Sequence, residues 1–148
     1  MSADSGPDKL SIVVFSGDFD RIHYALVLAS GGAAIGKAVT LFFTMEASRA
    51  LTRPAADGTP AWRALPVAGG GWTDGGAMDD AFAARGLATF EELLAACPEL
   101  GVRFLVCEMG LKAMGLERAD LRDDIAFEDG GVVTFVTDAS ATGAVLFI

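Results

Sequence analysis

The chain has 148 residues and a mass of 15.3 kDa, enough for one domain around a single core. Apolar residues make up 52% of it and the mean hydropathy is +0.43, so some apolar surface is expected to be buried between copies. A net charge of −9 repels phosphate backbones and anionic headgroups and argues against nucleic acid or a membrane surface as partner. Two cysteines and one histidine are too few for a zinc or iron–sulfur site within one chain, so no metal is expected.

The opening MSADSGPDK carries no basic and apolar leader, which points to the cytoplasm. KLSIVVF, residues 9–15, is a β-branched run that ends at Ser16-Gly17-Asp18, a helix-capping turn. Ile22, Leu26, Ala29 and Ala33 then recur at helical spacing on a face crowded with alanine and glycine. Between Tyr24 and Met45 the only charge is Lys37. The glycines and the change to VTLFF make this stretch a helix followed by a buried strand rather than a membrane span. Thr44 caps a short helix over 45–51.

From Arg53 to Gly86 the periodicity disappears in a Gly/Pro-rich insertion that holds both tryptophans. Its length suggests a lid, a disordered segment or an assembly arm. Thr89 with Glu92 three residues later forms a capping box for a helix through Ala96. Val102 to Val106 is the third strand, and Glu108 to Met114 a helix closed by Gly115. Val132 to Val136 reads as a fourth strand, residues 137–142 as a very short helix, and Ala144 to Ile148 as the last strand. Strands alternating with helices predict one α/β domain, residues 1–148, with a five-stranded parallel sheet between helical layers. The expected strand order is the flavodoxin-like 2-1-3-4-5.

In such sheets ligands bind beyond the carboxyl ends of the strands, where the strand order reverses. With that order, the crevice lies between strands one and three. It brings Ser16 to Arg21 near Cys107, which ends strand three and begins a helix. A thiol there faces unpaired N–H groups that favour its thiolate, while Glu108 beside it works against this. Cys107 is therefore the candidate nucleophile, although free cysteines at strand ends are often only small packing residues. Cys97 lies at the far end of the same strand, beyond disulfide reach, and reads as core.

His23, in the first turn of the first helix, is placed to polarise the thiol or hold a sulfur species, or else to be exposed or at a subunit interface. Arg21 is placed to neutralise an anion, or simply to pair with Asp18 or Asp20. No GxGxxG, GxxxxGK[ST], GxSxG or HExxH pattern occurs in a suitable context, so no nucleotide, flavin or other organic cofactor is expected.

Two stretches carry a family resemblance: 18-DFDRIHYALVLASGGAAIGKAVTLFFTMEASRAL-51 and 90-FEELLAACPELGVRFLVCEMGLKAMGL-116. The first is similar to the long alanine-rich helix followed by G-x-x-V-T-x-F-F-T, and the second to E-L-G-V, a strand and C-x-M-x-x-x-x-x-G, of the DsrE/DsrF-like family of sulfur-relay and sulfurtransferase-like proteins. Glu108 and EMGLKAMG depart from the family's commoner small residue and MSM-type ending.

The resemblance implies a flavodoxin-like three-layer sandwich, a homotrimer or hexamer, and persulfide carriage on Cys107. It implies delivery to an acceptor such as a TusA-like carrier. Ser16, Arg21, Glu108, Met109 and Gly110 would then surround the sulfur, with His23 assisting. The rival reading is a non-catalytic assembly subunit in which Cys107 only packs. A third, thiol peroxidase chemistry, needs a resolving thiol from another molecule.

Overall fold

The computed structural model describes residues 5–148. The reading of MSADSGPDK therefore rests partly on residues 1–4, which lie outside the described residues. Five parallel strands form one sheet: β1 (Lys9–Val14), β2 (Ala38–Phe43), β3 (Arg103–Cys107), β4 (Phe127–Gly130) and β5 (Ala144–Phe147). The helices are α1 (Phe19–Ala34), α2 (Gly75–Ala84), α3 (Phe90–Glu99), α4 (Glu108–Ala113) and α5 (Val132–Asp138). Short 3₁₀ helices occupy Met45–Leu51, Ala61–Ala64 and Arg118–Asp120. The fold class is the expected α/β sandwich, and the stretch from Tyr24 to Met45 is the end of α1 followed by β2. No helix among the described residues is long and apolar enough to cross a membrane.

The strand order is β4-β3-β2-β1-β5, not 2-1-3-4-5. The chain steps in one direction from β1 to β4 and then returns past the whole sheet to lay β5 on the free side of β1. Right-handed crossovers put connections running in opposite directions on opposite faces. The first face accordingly carries α1, α3 and α4. Ile12, Val14, Leu41, Phe43, Phe104 and Val106 pack there against Ile22, Leu26, Phe90, Leu94 and Leu111. The second face is covered by α5, whose Phe135 packs on Phe42, Leu105 and Cys107, stacking on Phe42 at 5.1 Å between ring centroids.

The expected fourth strand is the element that changed. VVTFV forms the body of α5, and the strand is the preceding FEDG. A β-branched run favours strand locally. Here the one buried hydrophobe of FEDG, Phe127, and the one of α5, Phe135, are what the sheet needs. Phe127 enters the first-face core, and one helical turn aims Phe135 at the second face. Of the short helix expected over 137–142, Thr137 and Asp138 are the end of α5 and the rest is a turn, tied by the Ser140 and Thr142 hydroxyls to Asp8.

The insertion at 53–86 is ordered and packed on the first face. Trp62 is buried against Phe19 and Phe90 and donates its indole N–H to Glu91 at 2.7 Å. Asp74 caps α2 by accepting from the Ala77 N–H. Thr89 caps α3 through Glu92 as the sequence predicts.

Candidate functional site

Adjacent strands β3 and β4 lead into segments on opposite faces: α4 sends Leu111 into the first-face core, and α5 sends Phe135 onto the second. The chain parts between them, and the crevice at the carboxyl ends of the sheet opens there, rather than between the first and third strands. It is a cavity of about 570 Å³ lined by Cys107 to Met109 from one side and Asp129 to Thr134 from the other.

Cys107 lies on its floor, 2% exposed, with Phe42, Leu105 and Phe135 around it. The alternation of β3 explains the orientation. Phe104 and Val106 point into the first core, which turns Leu105 and Cys107 to the second face. Cys107 is also the N-cap of α4, and its Sγ accepts the Gly110 N–H at 3.3 Å. That bond holds the sulfur at the mouth of a helix turn and is strengthened when the sulfur is anionic.

Of the other predicted site residues, Glu108 and Met109 line the cavity and Met109 is 65% exposed. Gly110 supplies its N–H to the sulfur, and its lack of a side chain has a separate reason. A Cβ there would stand 2.6 Å from the Met45 nitrogen and 2.6 Å from Thr44 Oγ1. This close approach lets α4 lie on the turn after β2, where Met45 adopts φ 53°.

Ser16 and Arg21 follow β1, which β2 separates from β3, and neither lines the cavity. The Ser16 hydroxyl accepts the Asp18 N–H, and Arg21 lies 3.9 Å from Asp18. His23 is buried in the helical layer on the first face, its Nε2 2.9 Å from the Ala88 carbonyl and its ring between Phe19 and Phe82. The structure therefore does not bring His23 together with Cys107. Its charged neighbour is Asp79, whose carboxyl burial holds above the usual carboxylate range, against the Phe90 N–H and His23, which pull it down.

Sequence reasoning missed Asp129 to Thr134 as cavity lining, because the strand assigned to VVTFV hid the bend that opens the site. The consecutive glycines Gly130-Gly131 were the available signal. Cys97 is fully buried in the first core, with its thiol pushed up to about 11 by that burial. No group of metal-binding side chains occurs among the described residues.

The family model described as DsrE/DsrF/DrsH-like matches residues 69–147, a span that takes in Cys107 and the whole cavity. The chain belongs to the DsrE/DsrF/DrsH-like family. Similar members of known sequence include uncharacterized protein YrkE of Bacillus subtilis, 29% identical over 95% of this chain and 96% of that protein. Sulfur carrier protein DsrE2 of Allochromatium vinosum is 26% identical over 95% of this chain and 98% of its own.

The DsrE-like fold recurs in two solved structures, a protein of unknown function, MTH1491, from Methanobacterium thermoautotrophicum and ychN protein from E. coli. Their TM-scores are 0.56 and 0.53, at 14% and 16% identity, each over 95% of this chain and at least 98% of the other. At such identities the likeness speaks for the fold. Among these relatives, DsrE2 is the one named a sulfur carrier.

Proposed function

We propose that this protein carries sulfane sulfur as a persulfide on Cys107 and passes it to an acceptor thiol. The observation that supports the reading most is the position of Cys107, the one thiol among the described residues lining the crevice between β3 and β4, with the Gly110 N–H on its Sγ. The Cys107 thiolate attacks the outer sulfur of a donor R–S–S–H. The Sγ–S bond forms as the donor S–S bond breaks, the electron pair leaves with R–S⁻, and the proton stays on the transferred sulfur until solvent takes it. In delivery, an acceptor thiolate attacks that outer sulfur and Cys107 departs as thiolate. No cofactor enters either step. We assign His23 a packing role, since its contacts lie in the other layer.

Exposed Val132, Val133, Val136, Val145, Phe147 and Met109 surround the cavity mouth and the free edge of β5, on the face that α5 alone covers. We propose that copies of the chain associate through this face, as a trimer or hexamer, and that a TusA-like carrier in the cytoplasm is the acceptor. The same surface favours a second reading, a non-catalytic assembly subunit. Mass spectrometry after exposure to an organic persulfide separates the two. A gain of about 32 Da, absent in Cys107→Ala and retained in Cys97→Ala, is expected from the single-sulfur step. A gain that survives Cys107→Ala, or none in the native protein, refutes carriage on Cys107.

A further inference from the structure

No lysine or arginine is among the described residues that line the cavity around Cys107. Its charged lining residues are Glu108 and Asp129, and the remaining walls are Met109, Gly130, Gly131, Val132, Val133 and Thr134. Asp129 is neutralised by Arg118, which meets it at 2.9 Å, donates to the Phe127 carbonyl and lies over the Phe127 ring. Glu108 is exposed, makes no ion pair or hydrogen bond among the described residues, and is joined directly to Cys107. Lys112, one helical turn further on and exposed, forms no ion pair with it. The Gly110 N–H is already committed to Sγ. An incoming anion thus meets one uncompensated carboxylate at the mouth, on a chain of net charge −9, with no side-chain cation to receive it.

Resting on the persulfide reading above, we infer that the Cys107 cavity selects its sulfur donor R–S–S–H by the charge on R, taking persulfides whose R is neutral or cationic and disfavouring those whose R is anionic, such as an acidic thiol's persulfide. The transfer is the one already balanced: the Cys107 thiolate takes the outer sulfur and the donor leaves as R–S⁻. What Glu108 changes is the local concentration of the donor before bonds move. One charge at about 7 Å, in a medium of effective dielectric constant about 40 to 80, changes that concentration roughly three- to sevenfold for a monovalent reagent. A cation and an anion of equal size then differ by roughly tenfold or more at low salt, and by less near the physiological screening length of about 8 Å.

The test uses two matched series on the full chain. In the first, aminoethyl, methyl and sulfonatoethyl methanethiosulfonates form mixed disulfides at Cys107, each releasing methanesulfinate, and rates are followed by mass spectrometry with peptide mapping. In the second, persulfides of cysteamine, 2-mercaptoethanol and 3-mercaptopropionate load sulfur on the same residue. The expected order is cation, neutral, anion in both series, with roughly tenfold between the ends at low salt. The spread should narrow with added salt and in Glu108→Gln, and should invert in Glu108→Lys.

Equal rates across charge, an anion that reacts fastest, or no modification of Cys107 by any methanethiosulfonate overturns the inference. The two readings fail separately. Persulfides that load without regard to charge leave sulfur carriage standing and remove the selectivity. The ordered methanethiosulfonate rates without sulfur loading from any persulfide keep the selectivity and remove carriage.

Discussion

Replacing Gly110 by alanine tests whether α4, and with it the cap on Cys107, is held by close approach to the turn after β2. Alanine is favoured over glycine inside a helix by about 1 kcal/mol, so propensity alone predicts stabilisation. The added Cβ, however, would stand 2.6 Å from the Met45 nitrogen and from Thr44 Oγ1, and 3.1 Å from Thr44 Cα. Two of these three atoms are backbone, and Thr44 is itself buried, so nothing flexible is there to swing away. Overpacking of this kind costs about 2 to 3 kcal/mol.

The net change expected for Gly110→Ala is a loss of about 1 to 2 kcal/mol, a fall in Tm of about 3 to 6 °C for a chain of this size. Gly31→Ala is the control. It lies late in α1 with nothing within 4 Å of the new Cβ, so the propensity gain acts alone and Tm should rise by about 3 °C. Thermal unfolding followed by circular dichroism compares the two. Because any shift of α4 also moves the Gly110 N–H off Sγ, Gly110→Ala should slow sulfur uptake as well. A Gly110→Ala protein that gains stability as Gly31→Ala does would refute the packing argument.

Three other outcomes are expected. The Cys97 thiol, pushed up to about 11 by burial from an ordinary value near 9, stays protonated in the fold while the unfolded chain ionises. Its stability contribution is complete below pH 9 and is lost toward pH 11, by up to about 3 kcal/mol, and denaturant titrations should show that part of the loss disappear in Cys97→Ala. The Arg122 guanidinium, itself buried, holds the half-exposed Glu91 carboxyl below its usual range, so this pair stabilises the fold above about pH 4.5 and fades as the pH falls. Glu91→Gln should cost about 1 to 2 kcal/mol at pH 7 and lessen the acid loss, measured by urea unfolding at both pH values. Val133→Glu, at a side chain 79% exposed beside the cavity, should reduce the mass seen by sedimentation while changing monomer stability by about 0.5 kcal/mol or less. An unchanged assembly would remove this face as the contact.

The sequence alone determined the elements whose local pattern and tertiary use agree. The apolar runs of β1, β2 and β3 are largely buried on both faces, so each reads as a strand without reference to anything else. Thr89 with Glu92 marks the start of α3 through bonds spanning three residues. The transition from VRFLVC to EMGLKA likewise put the thiol at a strand end and a helix start, a purely local fact.

Tertiary structure decided where partners lie far apart in sequence. FEDG is a strand because it extends the edge beside β3. VVTFV is a helix because only a turn there delivers Phe135 to the second face while Gly130-Gly131 bends away from Cys107. That return to the other side of β1 set the strand order, moved the crevice from β1 to β4, and left His23 in the opposite layer. Local propensity records what each segment prefers, whereas the identity of a crevice depends on which strands become neighbours, and that is settled by the burial of side chains distant along the chain.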